Sequence, residues 1–131
     1  MTINSFQFNT TPGLRFGSGQ AIDCCKEISN KLGQRILFVS DKGLMSLGLT
    51  DNTLKELQRM GSVQVFDEVE ADPSQKTLLK AIEAGKKFKA TGVIGFGGGS
   101  SMDVAKLSAL ILGSNEDLEN AWGVANAKGP R

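Results

Sequence analysis

The stretch from Thr91 to Leu112, TGVIGFGGGSSMDVAKLSALIL, constrains the fold of this chain more than any other. A short apolar run, Val93-Ile94-Gly95-Phe96, leads into three consecutive glycines, Gly97, Gly98 and Gly99. After Ser100, the residues Met102, Val104, Ala105, Leu107 and Ala109 to Leu112 recur at helical spacing. The pattern predicts a buried strand, a glycine turn and a helix N-terminus. At such a terminus the first N–H groups have no intrahelical acceptor, and the helix dipole favours negative charge. Glycine lets the backbone approach a phosphate with no Cβ in the way. Ser100 is placed to cap the helix or to donate its hydroxyl to a phosphate oxygen. Asp103 is expected in the first turn, where a carboxylate suits the dipole. The competing reading is a tight strand-to-helix connection with no ligand. The text is not the GxGxxG fingerprint, because Ser stands at position 100, and no Gly-Lys-Ser/Thr follows to make a Walker A loop.

The rest of the chain supplies a scaffold for that turn. Residues 36–39, 63–66 and 92–96 read as strands, the first a continuous apolar run suited to burial on both faces of a parallel sheet. Helical patterns fall at 20–32, 43–48, 51–60, 74–88 and from the glycine turn to 112, with a short last helix at 116–122. Gly33 is placed to cap the first and Asp51 or Asn52 the third, and Pro73 suits the first turn of the fourth. Residues 3–8 and 14–16, around Thr10-Thr11-Pro12-Gly13, predict an N-terminal β-hairpin. Strands alternating with helices spell βαβαβ, so the expected fold class is α/β: a Rossmann-like, doubly wound parallel sheet.

Composition excludes several function classes. At 131 residues, with 40% hydrophobic and 22% charged residues and net charge +1, the chain is one ordinary domain, expected to bind no nucleic acid and no membrane. No apolar run approaches the ~20 residues of a membrane span, and the N-terminus does not read as a signal peptide, so the expected compartment is the cytoplasm. Cys24 and Cys25 are adjacent; neighbours on a helix diverge, which predicts two free, partly buried thiols. Histidine is absent, so no histidine base or ligand is available within the chain.

Ligands of open parallel sheets bind beyond the C-terminal ends of the strands. Three segments reach that edge: 40–43, the acidic loop 67–72 with its continuation to Ser74, and 97–103. Asp41, at a strand end, is suited either to accept from a ribose hydroxyl, which favours NAD over NADP, or to cap the next helix.

Gly97-Gly98-Gly99-Ser100-Ser101-Met102-Asp103 matches the pattern GGGSxxD and resembles the iron-containing (group III) alcohol dehydrogenase family, which carries it at the nucleotide pyrophosphate site. Phe16-Gly17-Ser18-Gly19 resembles the family's early FGxG, Val39-Ser40-Asp41-Lys42-Gly43 its VTDxG, and Asp72-Pro73-Ser74 its Asn-Pro-Thr turn, with Asp in place of Asn. The resemblance covers nearly the whole chain. It implies residues 1–131 as an N-terminal dinucleotide-binding domain, with Asp41, Asp72, Gly97, Gly98, Gly99, Ser100 and Asp103 as cofactor contacts. Asp103 lies towards the nicotinamide or serves only the helix dipole. The implied activity is hydride transfer between an alcohol and NAD, with NADP disfavoured, in a homodimer or higher oligomer. The family's metal, iron or zinc, sits in an all-helical C-terminal domain on one Asp and three His, none of which is expected here. The chain is therefore expected to stop before that domain, to carry no catalytic residue and to be inactive alone. Glycerol dehydrogenases and maleylacetate reductases share the scaffold. A non-catalytic nucleotide-binding or dimerisation module is the alternative of a different class.

Overall fold

A computed structural model describes residues 11–121. The chain opens with two short helices, α1 (Gln20–Asp23) and α2 (Cys25–Leu32), where the sequence predicts one. They are separated at Cys24, and α2 ends on Gly33, whose φ of 80° lies in the region that favours glycine. Strand β1 (Arg35–Val39) follows, then α3 (Lys42–Ser46), α4 (Asp51–Met60), β2 (Ser62–Phe66), α5 (Gln75–Phe88), β3 (Gly92–Gly95) and α6 (Gly99–Ser114); a 3-10 turn at Leu118–Ala121 comes last.

The sheet has the order β2-β1-β3, all parallel, with Val39 of β1 opposite Phe66 on one side and Gly95 on the other. Being central, β1 is covered on both faces, which is why its sequence is apolar without alternation. Its side chains divide between two layers because successive residues of a strand point to opposite faces. Ile36 and Phe38 pack with Cys25, Leu54 and Leu57, the layer formed by α2 and α4. Leu37 and Val39 pack with Leu78, Ala81, Ile82, Val104, Ala105 and Ile111, the layer formed by α5 and α6. Helices on both faces make the sheet doubly wound, as the βαβαβ pattern predicts. Helix α6 approaches β3 closely: a Cβ at Gly95 would stand 2.8 Å from the Cβ of Ala105.

Several local expectations are corrected. Residues 14–16 form no strand, and Leu14 and Phe16 are exposed; the other arm of the expected hairpin, 3–8, lies outside the described residues. Neither Asp51 nor Asn52 caps α4: Thr50 holds that position with its hydroxyl turned to Met45 Sδ, and Asp51 falls in the first turn. Pro73 sits just before the cap of α5, which is Ser74, its Oγ accepting from Thr77 N at 3.2 Å. The helical pattern of 74–88 puts Leu78, Leu79, Ile82 and Phe88 on one face, but Leu79 is 50% exposed and Phe88 half-buried beneath the Arg35 guanidinium, and the buried stripe of α5 runs through Leu78, Ala81, Ile82 and Gly85. Both cysteines are free, Cys25 buried, where desolvation raises its thiol pKa.

Candidate functional site

All three strands point their C-terminal ends at one edge of the sheet. Beyond that edge lies a cavity of about 430 Å3, lined by Asp41, Lys42 and Gly43, by Val69, Glu70 and Ala71, and by Gly98 to Ser101. The three segments expected at this edge are thus brought together.

The glycine turn forms the first wall. Gly97 has φ +143°, a conformation side chains rarely adopt, and a Cβ there would meet Leu44 Cδ1 at 3.0 Å and Ser101 Oγ at 3.1 Å. Gly97 is glycine for internal reasons. Gly98 and Gly99 are not: a Cβ at either position would meet nothing within 4 Å. Their bare backbone fronts open space. The first intrahelical bond of α6 runs from Met102 N to Gly98 O. It leaves the N–H groups of Gly99, Ser100 and Ser101 without an intrahelical acceptor, beside the positive end of a 16-residue helix. An anion can be held here by backbone donors alone.

Two expectations about α6 change. Its N-cap is Gly98, with no side-chain cap bond, so Ser100 lies inside the first turn and does not cap. The helix begins at Gly99, which puts Asp103 beyond the first turn. Its carboxylate is too far along the helix for the strongest dipole contact.

The second wall is the step from β1 into α3. Asp41 is the N-cap of α3, its Oδ1 accepting from Leu44 N at 2.9 Å. One carboxylate oxygen is therefore committed to the cap and the other is free of it. The acidic loop is the third wall. Glu70 is held by Thr77 Oγ1 at 2.6 Å and by Ser74 N at 3.0 Å. Those donors, the Thr77 hydroxyl foremost, lower its carboxyl from the ordinary 4.5 to about 2. Glu68 pairs with Lys80 at 2.7 Å, which lowers the acid and raises the amine.

Asp72 and Asp103 do not line this cavity. They line a neighbouring hollow with Pro73, Ser74, Lys106 and Leu107. Asp72 adopts φ 53°, a left-handed conformation that Asp tolerates better than most residues. The expected contacts thus divide: Asp41, Gly98, Gly99 and Ser100 share one wall-to-wall space with Gly97 shaping its turn, while Asp72 and Asp103 stand beside it. The sequence motifs contain Ser40 and Ser101 without marking a role for either, and none is marked for Glu70 or Thr77. The acidic run marked Glu70 without separating it from its neighbours, and nothing local marks a serine at a strand end. Among the described residues, no three His, Cys, Asp or Glu side chains are grouped to hold a metal. The described residues therefore do not fit the metal implied by the resemblance.

Fold and cleft together define a doubly wound α/β domain with an anion-compatible crevice at the carboxyl edge of its sheet. A family profile described as iron-containing alcohol dehydrogenase matches residues 12–130, and the chain belongs to that family. It is 34% identical over 111 residues to long-chain-alcohol dehydrogenase 1 of Geobacillus thermodenitrificans, covering 82% of this chain and 28% of that protein. It is 26% identical over 122 residues to sulfoacetaldehyde reductase of Bilophila wadsworthia, covering 92% of this chain and 31% of that one. The crystal structure of an iron-containing alcohol dehydrogenase from Thermotoga maritima superimposes with a TM-score of 0.72 at 32% identity, over 83% of this chain and 31% of that structure. The chain thus spans about 30% of the length of the relatives it matches.

Proposed function

We propose that this chain is the nucleotide-binding part of an NAD-dependent alcohol or aldehyde oxidoreductase. The observation that carries the reading is the pair Gly98 and Gly99. Neither needs to be glycine for the sake of its own fold, yet both present bare backbone to the cavity at a helix N-terminus. A dinucleotide pyrophosphate seated there accounts for the missing side chains, because a Cβ at either position would take up the space in front of the donors. Asp41, across the cavity, offers its uncommitted oxygen to a ribose hydroxyl and places negative charge where a 2′-phosphate would come, so NAD is favoured over NADP.

Family membership supports the reaction class, and so do the printed names of the relatives: a long-chain-alcohol dehydrogenase and a sulfoacetaldehyde reductase. A sulfoacetaldehyde reductase from Bifidobacterium kashiwanohense, solved in complex with NAD+, shares the fold with a TM-score of 0.72. The dinucleotide, when bound, supplies the hydride acceptor or donor. The described residues bind its phosphates, orient its ribose and leave the reacting carbon to other parts of the enzyme. The divalent metal, iron or zinc, is assigned to residues beyond this sequence, which has no histidine. A homodimer in the cytoplasm completes the proposal.

Gly98 has φ −77° and ψ −171°, which any residue adopts, so Gly98→Val leaves the fold in place. Calorimetric titration of the chain with NAD is expected to show binding that Gly98→Val abolishes, with the thermal midpoint unchanged. Equal affinity of the two proteins for NAD sinks the assignment.

A further inference from the structure

The three walls of the cavity belong to segments far apart in sequence, and one residue is bonded to each of them. Ser40 is fully buried, directly after β1. Its N–H donates to Phe66 O at 2.8 Å, at the end of β2. Its carbonyl accepts from Val69 N at 3.4 Å, in the acidic loop. Its hydroxyl donates to Phe96 O at 2.8 Å, the residue that opens the glycine turn. The next residue along the chain is Asp41, the cap of α3.

The hydroxyl bond is the one a side chain decides. Past Val39 the backbone leaves the sheet to enter α3, and the last β1–β3 ladder bond is Phe96 N to Val39 O at 2.9 Å. Ser40 Oγ carries the pairing one step further, onto the carbonyl of Phe96. The Phe96 ring lies against Phe38 with centroids 5.6 Å apart. Phe96 is therefore held by its N–H, its carbonyl and its ring. Gly97, which follows it, has no side chain with which to fix its own conformation.

Resting on the nucleotide-binding reading, we propose that Ser40 is a positioning residue for the dinucleotide: its hydroxyl sets the glycine turn at the height where the N–H groups of Gly99 to Ser101 converge on a phosphate. It does not touch the ligand, as it does not line the cavity. Ser40→Ala leaves the Phe96 carbonyl without that donor and lets the turn drift. Ser40→Thr keeps the hydroxyl. Ile82→Val, buried in the α5–α6 layer, is the comparison variant that loses stability while the Ser40 hydroxyl bond to Phe96 O stays in place.

The test measures two things on the full chain: NAD affinity by calorimetry, and amide hydrogen exchange of Gly97, Gly98 and Gly99 without ligand. Ser40→Ala is expected to weaken NAD about tenfold, the scale of one lost hydrogen bond, and to speed exchange across the turn. Ser40→Thr is expected to restore both, and Ile82→Val to change neither. Unchanged exchange in Ser40→Ala overturns the proposal, and so does an Ile82→Val variant that loses affinity to the same degree. If the unaltered chain does not bind NAD, the nucleotide reading fails, while the exchange comparison still decides whether Ser40 holds the turn.

Discussion

At Asp41 one side chain has an observed contact and a proposed one. Its Oδ1 caps α3 through Leu44 N, which organises the backbone; Asp41 also lines the cavity, where its charge is proposed to favour NAD over NADP. The sequence left cap and ribose acceptor as equal alternatives, and the geometry makes the cap an observed contact that uses a single oxygen. The two roles separate by substitution. Asn caps a helix about as well as Asp, so Asp41→Asn is expected to keep the thermal midpoint and raise NADP affinity relative to NAD by about fivefold, the scale of one partly exposed charge contact. Asp41→Ala is expected to change the ratio similarly and to lose about 1 kcal/mol of stability with the cap. An NAD-to-NADP ratio that stays fixed in both variants leaves Asp41 with capping alone. Gly98 and Gly99 show what a sequence conveys at this scale. Their identity was legible, but whether a glycine answers to packing or to open space is decided by neighbours far along the chain.

At the scale of elements, the strands and long helices were legible because period and burial agree. The apolar run of β1 lies between two layers, and the stripes of α4 and α5 each face one of them. The start of α6 was not, since a run of three glycines followed by two serines offers several equivalent places to begin; the cap is Gly98 and not Ser100, which moves Ser100 and Asp103 two positions further into the helix. The loop before α5 was legible only as acidic. Its internal order comes from Glu70, which reaches forward to Ser74 N and Thr77 Oγ1 and so ties the cavity wall to the helix. Because the folded state holds this carboxyl near 2, below its ordinary 4.5, the bond stabilises the fold fully above about pH 4.5. That contribution is lost as pH falls from there towards 2. Thermal midpoints of the unaltered chain and Glu70→Gln, measured from pH 6 down to pH 2, are expected to differ most at the upper end and to converge at the lower. A constant separation across the range shows that the charge of Glu70 contributes nothing.

At the scale of the whole molecule, the fold class was legible and the conformation of residues 14–16 was not. The βαβαβ alternation allows few topologies, because crossovers of this length are right-handed and helices must cover both faces. The strand expected at 14–16 depended on a partner, and pairing is information that a local pattern of three residues does not contain. Among the described residues, the two helical layers share no helix and pack on opposite faces of the sheet. Leu37 and Phe38 are adjacent in sequence yet belong to different layers. Whether such a molecule unfolds as one unit depends on β1. Two of its four buried side chains lose their packing if either layer leaves, Ile36 and Phe38 with one and Leu37 and Val39 with the other, so the layers are expected to melt together. Leu57, fully buried in the α4 layer, makes the test. Leu57→Ala removes roughly 2–5 kcal/mol, a large share of the roughly 5–15 kcal/mol typical of a domain. Native-state hydrogen exchange is expected to show protection falling equally in α4 and in α5 and α6, although the latter two lie on the opposite face. If α5 and α6 keep their protection while α4 loses it, the sheet does not couple the layers. Two of the three cavity walls, the acidic loop through Val69 and the start of α6, would then rest on the α5–α6 layer alone.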